Sequence, residues 1–152
     1  MNKDYDPRMH SAEHILNQTM VRLFGCERSF STHLEKKKSK CDYRFDRPLT
    51  TVDIAEIEQR VNQVIQSDAP VREDFLSREE AGKSFNLGRL TEGAGDRIRI
   101  IRIGEYDACP CIGGHVGHTR EIGSFRIIST DFANDFLRIR FKLDAPDSSL
   151  TS

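Results

Sequence analysis

The stretch CPCIGGHVGHT, Cys109–Thr119, packs two cysteines, two histidines, three glycines and a proline into eleven residues. Such a run suits a metal site or a redox site. A redox pair is expected at CxxC spacing, and Cys109 and Cys111 are spaced CxC, which argues against it. Cys111 and His115 are four apart with Gly113 and Gly114 between them. Glycines let a loop fold back, so a thiolate and an imidazole could converge on one ion. On their own, Cys111 and His115 mean little as a metal site.

The other half lies a hundred residues earlier, in PRMHSAEHILNQTMVRLF, residues 7–24. Pro7 suits a first helical turn after Asp6 as cap, and Gly25 suits the stop. At 100° per residue, Met9, Ala12, Leu16, Met20, Leu23 and Phe24 share an apolar arc, and His10 and His14 sit at its edge with Asn17. Histidines four apart on a helix present both rings to one side. Each of HxxxH and CxxxH arises often by chance, but rarely both in one chain. Together His10, His14, Cys111 and His115 make a sulfur-nitrogen donor set suited to Zn²⁺. HSAEH also reads as the HxxEH of inverted zincins, with Glu13 as general base and Glu79 or Glu80 as third ligand. That alternative leaves CIGGH unexplained.

The remaining segments are predicted from pattern. Residues 29–35 and 41–46 read as strands around the basic turn KKKSK, and residues 50–68 as a helical segment with an Ile54, Ile57, Val61, Val64, Ile65 stripe. VREDF reads as a strand, SREEAGKSF as a short helix capped by Ser77, and NLGRLTEGAGD (86–96) as a loop. RIRIIRIGEYD (97–107) reads as one β-branched strand, and 121–131 with 135–144 as a final hairpin around Ala133-Asn134. Strands in adjoining pairs with helices between them predict an α+β fold, an antiparallel-rich sheet with helices packed against it. One domain over residues 1–152 is expected, with its core at about 8–143 and a frayed tail at 144–152.

Composition narrows the function classes. Net charge is −1 and hydrophobic residues make up 37%, which fits an ordinary folded chain with no overall basic field. Any nucleic-acid contact must then be a local patch. No apolar run approaches a membrane span, and MNKDYDPRMH lacks the apolar stretch of a signal peptide, so a cytoplasmic location with reduced cysteines is expected.

With both motif halves placed, the chain resembles the editing domain shared by alanyl- and threonyl-tRNA synthetases, above all the short freestanding AlaX form. The family pairs HxxxH on an early helix with a late CxxxH and an IG-containing strand. Here these are HSAEH at 10–14, CIGGH at 111–115 and HTREIGSFRI at 118–127. YRFDRP, IAEIEQRVNQVI and APVREDFLSREEA match in type, so the resemblance covers about residues 8–143. It implies a zinc-dependent hydrolase that cleaves the ester of mischarged aminoacyl-tRNA, here Ser-tRNA(Ala) or Gly-tRNA(Ala), in the cytoplasm and in trans. It also implies that His10, His14, Cys111 and His115 are the zinc ligands.

The resemblance has gaps. Gly114 stands where alanyl-type domains usually have Thr, and the first hairpin carries SFSTHLEKK in place of a QKG segment. That hairpin lines the amino-acid pocket in relatives, which makes Ser31, Thr32 and His33 candidate substrate contacts. In a strand, Ser31 and His33 face the pocket only if Thr32 faces away. Glu13 is a candidate proton acceptor, and His118 a candidate to orient a ligand. Lys36, Lys37, Lys38 and Lys40 are candidate tRNA contacts, with Arg97, Arg99 and Arg102 near the Cys/His loop. Catalytic zinc usually keeps an open position, whereas four protein ligands close a structural site. The alternative function is therefore a non-catalytic zinc domain that binds tRNA or a synthetase.

Overall fold

The computed structural model describes residues 6–85 and 97–145. The predicted loop 86–96, most of the predicted frayed tail and the first five residues lie outside them. The described chain is α+β, with two antiparallel sheets and three α-helices packed against them.

Helix α1 spans Pro7–Phe24, as the pattern predicts. The Asp6 carboxylate accepts from the amides of Arg8 and Met9, and Gly25 ends the helix in the left-handed conformation at φ 69°. The buried arc of α1 carries Met9, Ala12, Ile15, Leu16 and Met20. Helix α2, Thr51–Gln66, begins with a reciprocal capping box between Thr50 and Asp53. It buries Ile57, Val61, Val64 and Ile65 against α1 and the larger sheet.

That sheet has the order β1-β2-β7-β6, from Ser31–His33, Ser39–Arg44, Phe136–Asp144 and Ser124–Ala133. Alternation sets its faces. Cys41 and Tyr43 of β2, Leu137, Ile139 and Phe141 of β7, and Phe125 and Ile127 of β6 point into the core. The β6–β7 hairpin turns on Asn134 (φ 53°) and Asp135 (φ 66°), the two positive-φ positions of a tight primed turn. The first hairpin differs from expectation at its ends. β1 ends at His33, and Ser39 and Lys40 belong to β2, paired with Phe141 and Arg140, so the turn falls at residues 34–38, two residues earlier than KKKSK suggests.

The second sheet, β3-β4-β5, comprises Val71–Ser77, Arg97–Ile103 and Asp107–Pro110. Strand β4 is buried on both faces. Ile98 and Ile100 pack with Ala81 of the short helix α3 (Arg78–Ser84), whereas Ile101 and Ile103 join the main core. Each such burial is worth about 2 kcal/mol. The predicted single strand 97–107 is instead two strands. Gly104 adopts φ 50°, and a Cβ there would lie 3.0 Å from the Ala69 Cβ. The chain reverses at Gly104 and β5 runs back along β4, delivering Cys111 to the side of α1 that carries the histidines. A 3-10 turn, Thr119–Ile122, then leads into β6. No helix among the described residues is long and apolar enough to cross a membrane.

Candidate metal centre

His10 and His14 lie one turn apart on α1, and both are buried. Cys111 follows β5. Its amide donates to the Arg99 carbonyl at 3.1 Å, which extends the β4–β5 ladder by one residue. The Arg99 guanidinium, paired with Glu73, also donates to the carbonyls of Gly113 (2.7 Å) and Cys111 (3.3 Å) and clamps the loop. Of the two glycines in CIGGH, Gly113 needs its residue type, at φ 114°. A Cβ on Gly114 would meet only the Pro7 Cγ at 3.7 Å, so the position has room for a side chain.

The folded loop brings His10, His14, Cys111 and His115 together, with one donor atom from each within 4.8 Å of the others. The Cys111 Sγ lies 3.2 Å from His10 Nε2 and 3.5 Å from His115 Nε2. The ring centroids are 4.1 to 5.0 Å apart. A tetrahedral zinc with the usual bond lengths has nitrogen-to-sulfur edges of about 3.6 Å. Three imidazoles and one thiol at these separations therefore fit such an ion.

Two of the three rings are anchored from behind. His10 Nδ1 donates to the Gly114 carbonyl at 3.1 Å, and that acceptor leaves a lone pair on Nε2. His115 Nδ1 meets Ser11 Oγ at 2.9 Å, and Ser11 Oγ also accepts the Val116 amide at 3.2 Å. His14 Nδ1 is buried and makes no hydrogen bond; Asp107 Oδ2 faces it at 3.5 Å. Asp107 is itself held by Arg28 (2.7 and 3.3 Å) and Gln18 (2.9 Å). Burial alone would raise the Asp107 carboxyl; His14 and Arg28 outweigh it and hold it down at about 2.

Electrostatics favour the ligand form of the rings. Burial, and then His14, pushes His10 down to about 4. Burial, His14 and His10 hold His115 well below the ordinary histidine range. These rings are neutral at pH 7, as ligands must be. Burial, with Cys109 beside it, pushes the Cys111 thiol up to about 12. Arg99 and Arg28 pull the other way without overcoming this, and a cation at the site would favour the thiolate further.

Glu13 borders the cluster. Its Oε1 lies 3.9 Å from His14 Nε2, and its Oε2 accepts from Asn17 Nδ2 at 2.7 Å and Thr32 Oγ1 at 3.3 Å. Thr32 is thus the residue of the first hairpin that faces Glu13, whereas Ser31 and His33 are exposed. His33 pairs with Glu35 at 2.9 Å. Lys36, Lys37 and Lys38 are exposed and Lys40 is half-buried, beside the rim of an open depression of 280 Å³ that includes Lys38, Lys40 and Arg140. The arginines near the loop are engaged: Arg102 with Asp74 at 2.6 Å, Arg97 over the Phe75 ring, and Arg99 as above. His118 is exposed, and its amide donates to Glu121. Cys109 is half-buried in β5, outside the donor cluster. Glu79 and Glu80 lie exposed on α3, Glu80 as part of that helix's own capping box, and neither joins the cluster.

Sequence pattern did not single out Ser11, Arg28 or Asp107, and it offered Arg99 as a tRNA contact rather than as the clamp of the loop. One signal was available on α1, where Ser11 and Asn17 are polar residues beside the apolar arc.

The family described as "Threonyl and Alanyl tRNA synthetase second additional domain" matches residues 98–138, which include β4, β5 and the Cys/His loop. The chain is similar to the alanine–tRNA ligase of Coxiella burnetii, 33% identical over 124 residues, 80% of this chain and 14% of that protein. Similarity to the alanine–tRNA ligases of Gluconobacter oxydans (34% over 134 residues, 79% and 15%) and Fervidobacterium nodosum (32% over 123 residues, 80% and 14%) is of the same extent. The chain thus spans about one seventh of the length of these relatives.

Proposed function

This chain belongs to the second additional domain family of threonyl and alanyl tRNA synthetases, and from that premise we propose that it is a zinc-dependent deacylase of mischarged aminoacyl-tRNA. The observation that carries the proposal is the convergence of four donors beside a carboxylate. His10, His14, Cys111 and His115 approach within 4.8 Å of one another, and Glu13 Oε1 stands 3.9 Å from His14 Nε2.

The substrate in this reading is Ser-tRNA(Ala) or Gly-tRNA(Ala), and the bond cut is the ester between amino acid and ribose. When bound at the four donors, zinc supplies Lewis-acid polarisation of the ester carbonyl. The chain's own residues do the rest. Asn17 and Thr32 both bond Glu13 Oε2, which leaves Oε1 as the oxygen able to take a proton from the attacking water. Thr32 lines the same side as Glu13, where it can meet the hydroxyl or amine of the amino acid. The exposed Lys36, Lys37 and Lys38, with Lys40, offer local positive charge for the tRNA phosphates in a chain of net charge −1. A cytoplasmic site of action follows from the substrate.

The complete S/N donor set also favours a second reading, because four protein ligands close many structural zinc sites. In that reading the chain is a non-catalytic zinc domain that binds tRNA or a synthetase. One assay separates the two. The pure protein, loaded with zinc, is incubated with Ser-tRNA(Ala), Gly-tRNA(Ala) and Ala-tRNA(Ala), with His10→Ala and Cys111→Ala as controls. The deacylase reading expects loss of the mischarged esters, sparing of Ala-tRNA(Ala), and no hydrolysis by the controls. Intact esters in the presence of bound zinc and bound tRNA would leave the second reading.

A further inference from the structure

We propose that Asp107 is a positioning residue for the metal, turning His14 so that Nδ1 faces the carboxylate and Nε2 faces the donor cluster. The inference rests on the reading of His10, His14, Cys111 and His115 as metal ligands. It assigns a role to a buried carboxylate that neither the motif nor the proposed reaction uses.

The three rings show the need for it. His10 and His115 each have Nδ1 anchored, by the Gly114 carbonyl and the Ser11 hydroxyl, and each presents Nε2 to the Cys111 sulfur. His14 is the exception: its Nδ1 is buried without a hydrogen bond, and the atom set against it is Asp107 Oδ2 at 3.5 Å. A histidine that ligates a metal through one nitrogen commonly donates its other N–H to a carboxylate, which fixes tautomer and ring orientation.

The bonding of Asp107 is lopsided in the direction this role requires. Its Oδ1 takes two short bonds, from Arg28 at 2.7 Å and Gln18 at 2.9 Å. Its Oδ2 takes only the longer bond from Arg28, at 3.3 Å, and is the oxygen beside His14. The side chain has no solvent exposure, so water does not compete for that oxygen. Arg28 offsets the carboxylate's charge, which makes its burial tolerable. The placement also joins the two halves of the ligand set. Gln18 lies one turn after His14 on α1, and Asp107 opens β5, the strand that leads to Cys111. Asp107 therefore ties the helix that carries two ligands to the strand that delivers the third.

The test uses the whole chain with Asp107→Asn, Gln18→Ala and His14→Ala. The readouts are zinc release to a chromophoric chelator, the absorption spectrum with Co²⁺ in place of zinc, and the histidine ring-nitrogen NMR signals of the zinc-loaded protein. Asp107→Asn is expected to weaken zinc binding roughly 10- to 100-fold and to shift the Co²⁺ bands. Gln18→Ala, which loses a contact to the same carboxylate without touching His14, is expected to leave both unchanged. Wild-type affinity and spectrum in Asp107→Asn would overturn the proposal, as would equal losses in Asp107→Asn and Gln18→Ala. The NMR arm needs no variant and so survives a misfolding substitution. The wild-type protein is expected to show His14 protonated at Nδ1, and a proton at Nε2 instead overturns the proposal. A wild-type protein that binds neither zinc nor cobalt removes the metal reading itself, whereas bound metal without deacylation removes only the catalytic reading.

Discussion

Asn17 Nδ2 donates to Glu13 Oε2 at 2.7 Å across one turn of α1, and so fixes which carboxylate oxygen is left facing the donor cluster. Glu13→Gln keeps the size of the side chain and removes its capacity to take a proton. If Glu13 is the proton acceptor, the substitution lowers deacylation by about 100-fold or more. Zinc content should stay at the wild-type level, because Glu13 is not among the four donors. Parallel measurement of metal content and single-turnover hydrolysis checks both halves. Wild-type turnover in Glu13→Gln would remove Glu13 from the chemistry.

Asn17 itself is under heavier structural demand. Its Oδ1 accepts from the Tyr43 hydroxyl at 2.7 Å and from the Ser29 amide at 3.2 Å, and all three residues are buried. Asn17→Ala strips the acceptor from two buried donors at once. Each such group left unpaired costs about 1–3 kcal/mol, so a loss of about 2–5 kcal/mol in folding stability is expected. Urea unfolding at neutral pH measures it. A loss below about 1 kcal/mol would mean that Tyr43 and Ser29 find other acceptors.

Thr32 separates the candidates of the first hairpin. Its hydroxyl meets Ser29 Oγ at 2.9 Å and Glu13 Oε2 at 3.3 Å, whereas Ser31 and His33 face solvent. Thr32→Val keeps the shape and removes the hydroxyl. If that hydroxyl contacts the substrate's side chain, kcat/KM for Ser-tRNA(Ala) falls by roughly 10- to 100-fold relative to Gly-tRNA(Ala). Ser31→Ala and His33→Ala should leave the ratio unchanged. An unaltered serine-to-glycine ratio in Thr32→Val would rule out the contact.

The limits of sequence pattern can be traced to particular residues. Helix α1 was legible to the residue because Asp6, Pro7 and Gly25 punctuate it and its apolar arc repeats at helical spacing. The four donors were legible as two short motifs, but spacing cannot show that they meet. Their meeting depends on the reversal at Gly104, hidden within a β-branched run that looked like one strand. The isoleucines of that run fall on both faces of β4, Ile98 and Ile100 on one and Ile101 and Ile103 on the other, which blurs the alternation that would mark its end. The inward side of Ser31-Thr32-His33 was open because three polar residues carry no alternation; pairing with β2 decides it. Asp107 and Arg28 were invisible because a buried ion pair 79 residues apart has no local signature. The second sheet was also unforeseen, since strand order is a tertiary property.

The capping box of α2 gives a prediction about acid sensitivity away from the four-donor cluster. Asp53 Oδ2 accepts from Arg47 at 2.6 Å and from the Thr50 amide at 2.9 Å, and Thr50 Oγ1 accepts the Asp53 amide at 3.1 Å. The Arg47 bond, then the Thr50 amide, lowers the Asp53 carboxyl from 3.8 to about 2. A depressed carboxyl stabilises the fold above its unfolded value, and that contribution is lost as pH falls from about 4 towards 2. Asp53→Ala is therefore expected to cost about 1 kcal/mol at pH 7, with salt and solvent screening the Arg47 part. The difference between Asp53→Ala and wild type should shrink as both are acidified through that window, because the wild-type carboxylate is then protonated. Denaturant midpoints for the two proteins at pH 7 and near pH 2.5 check it. A difference that stays constant across the window would mean that the carboxylate's charge contributes nothing to the cap.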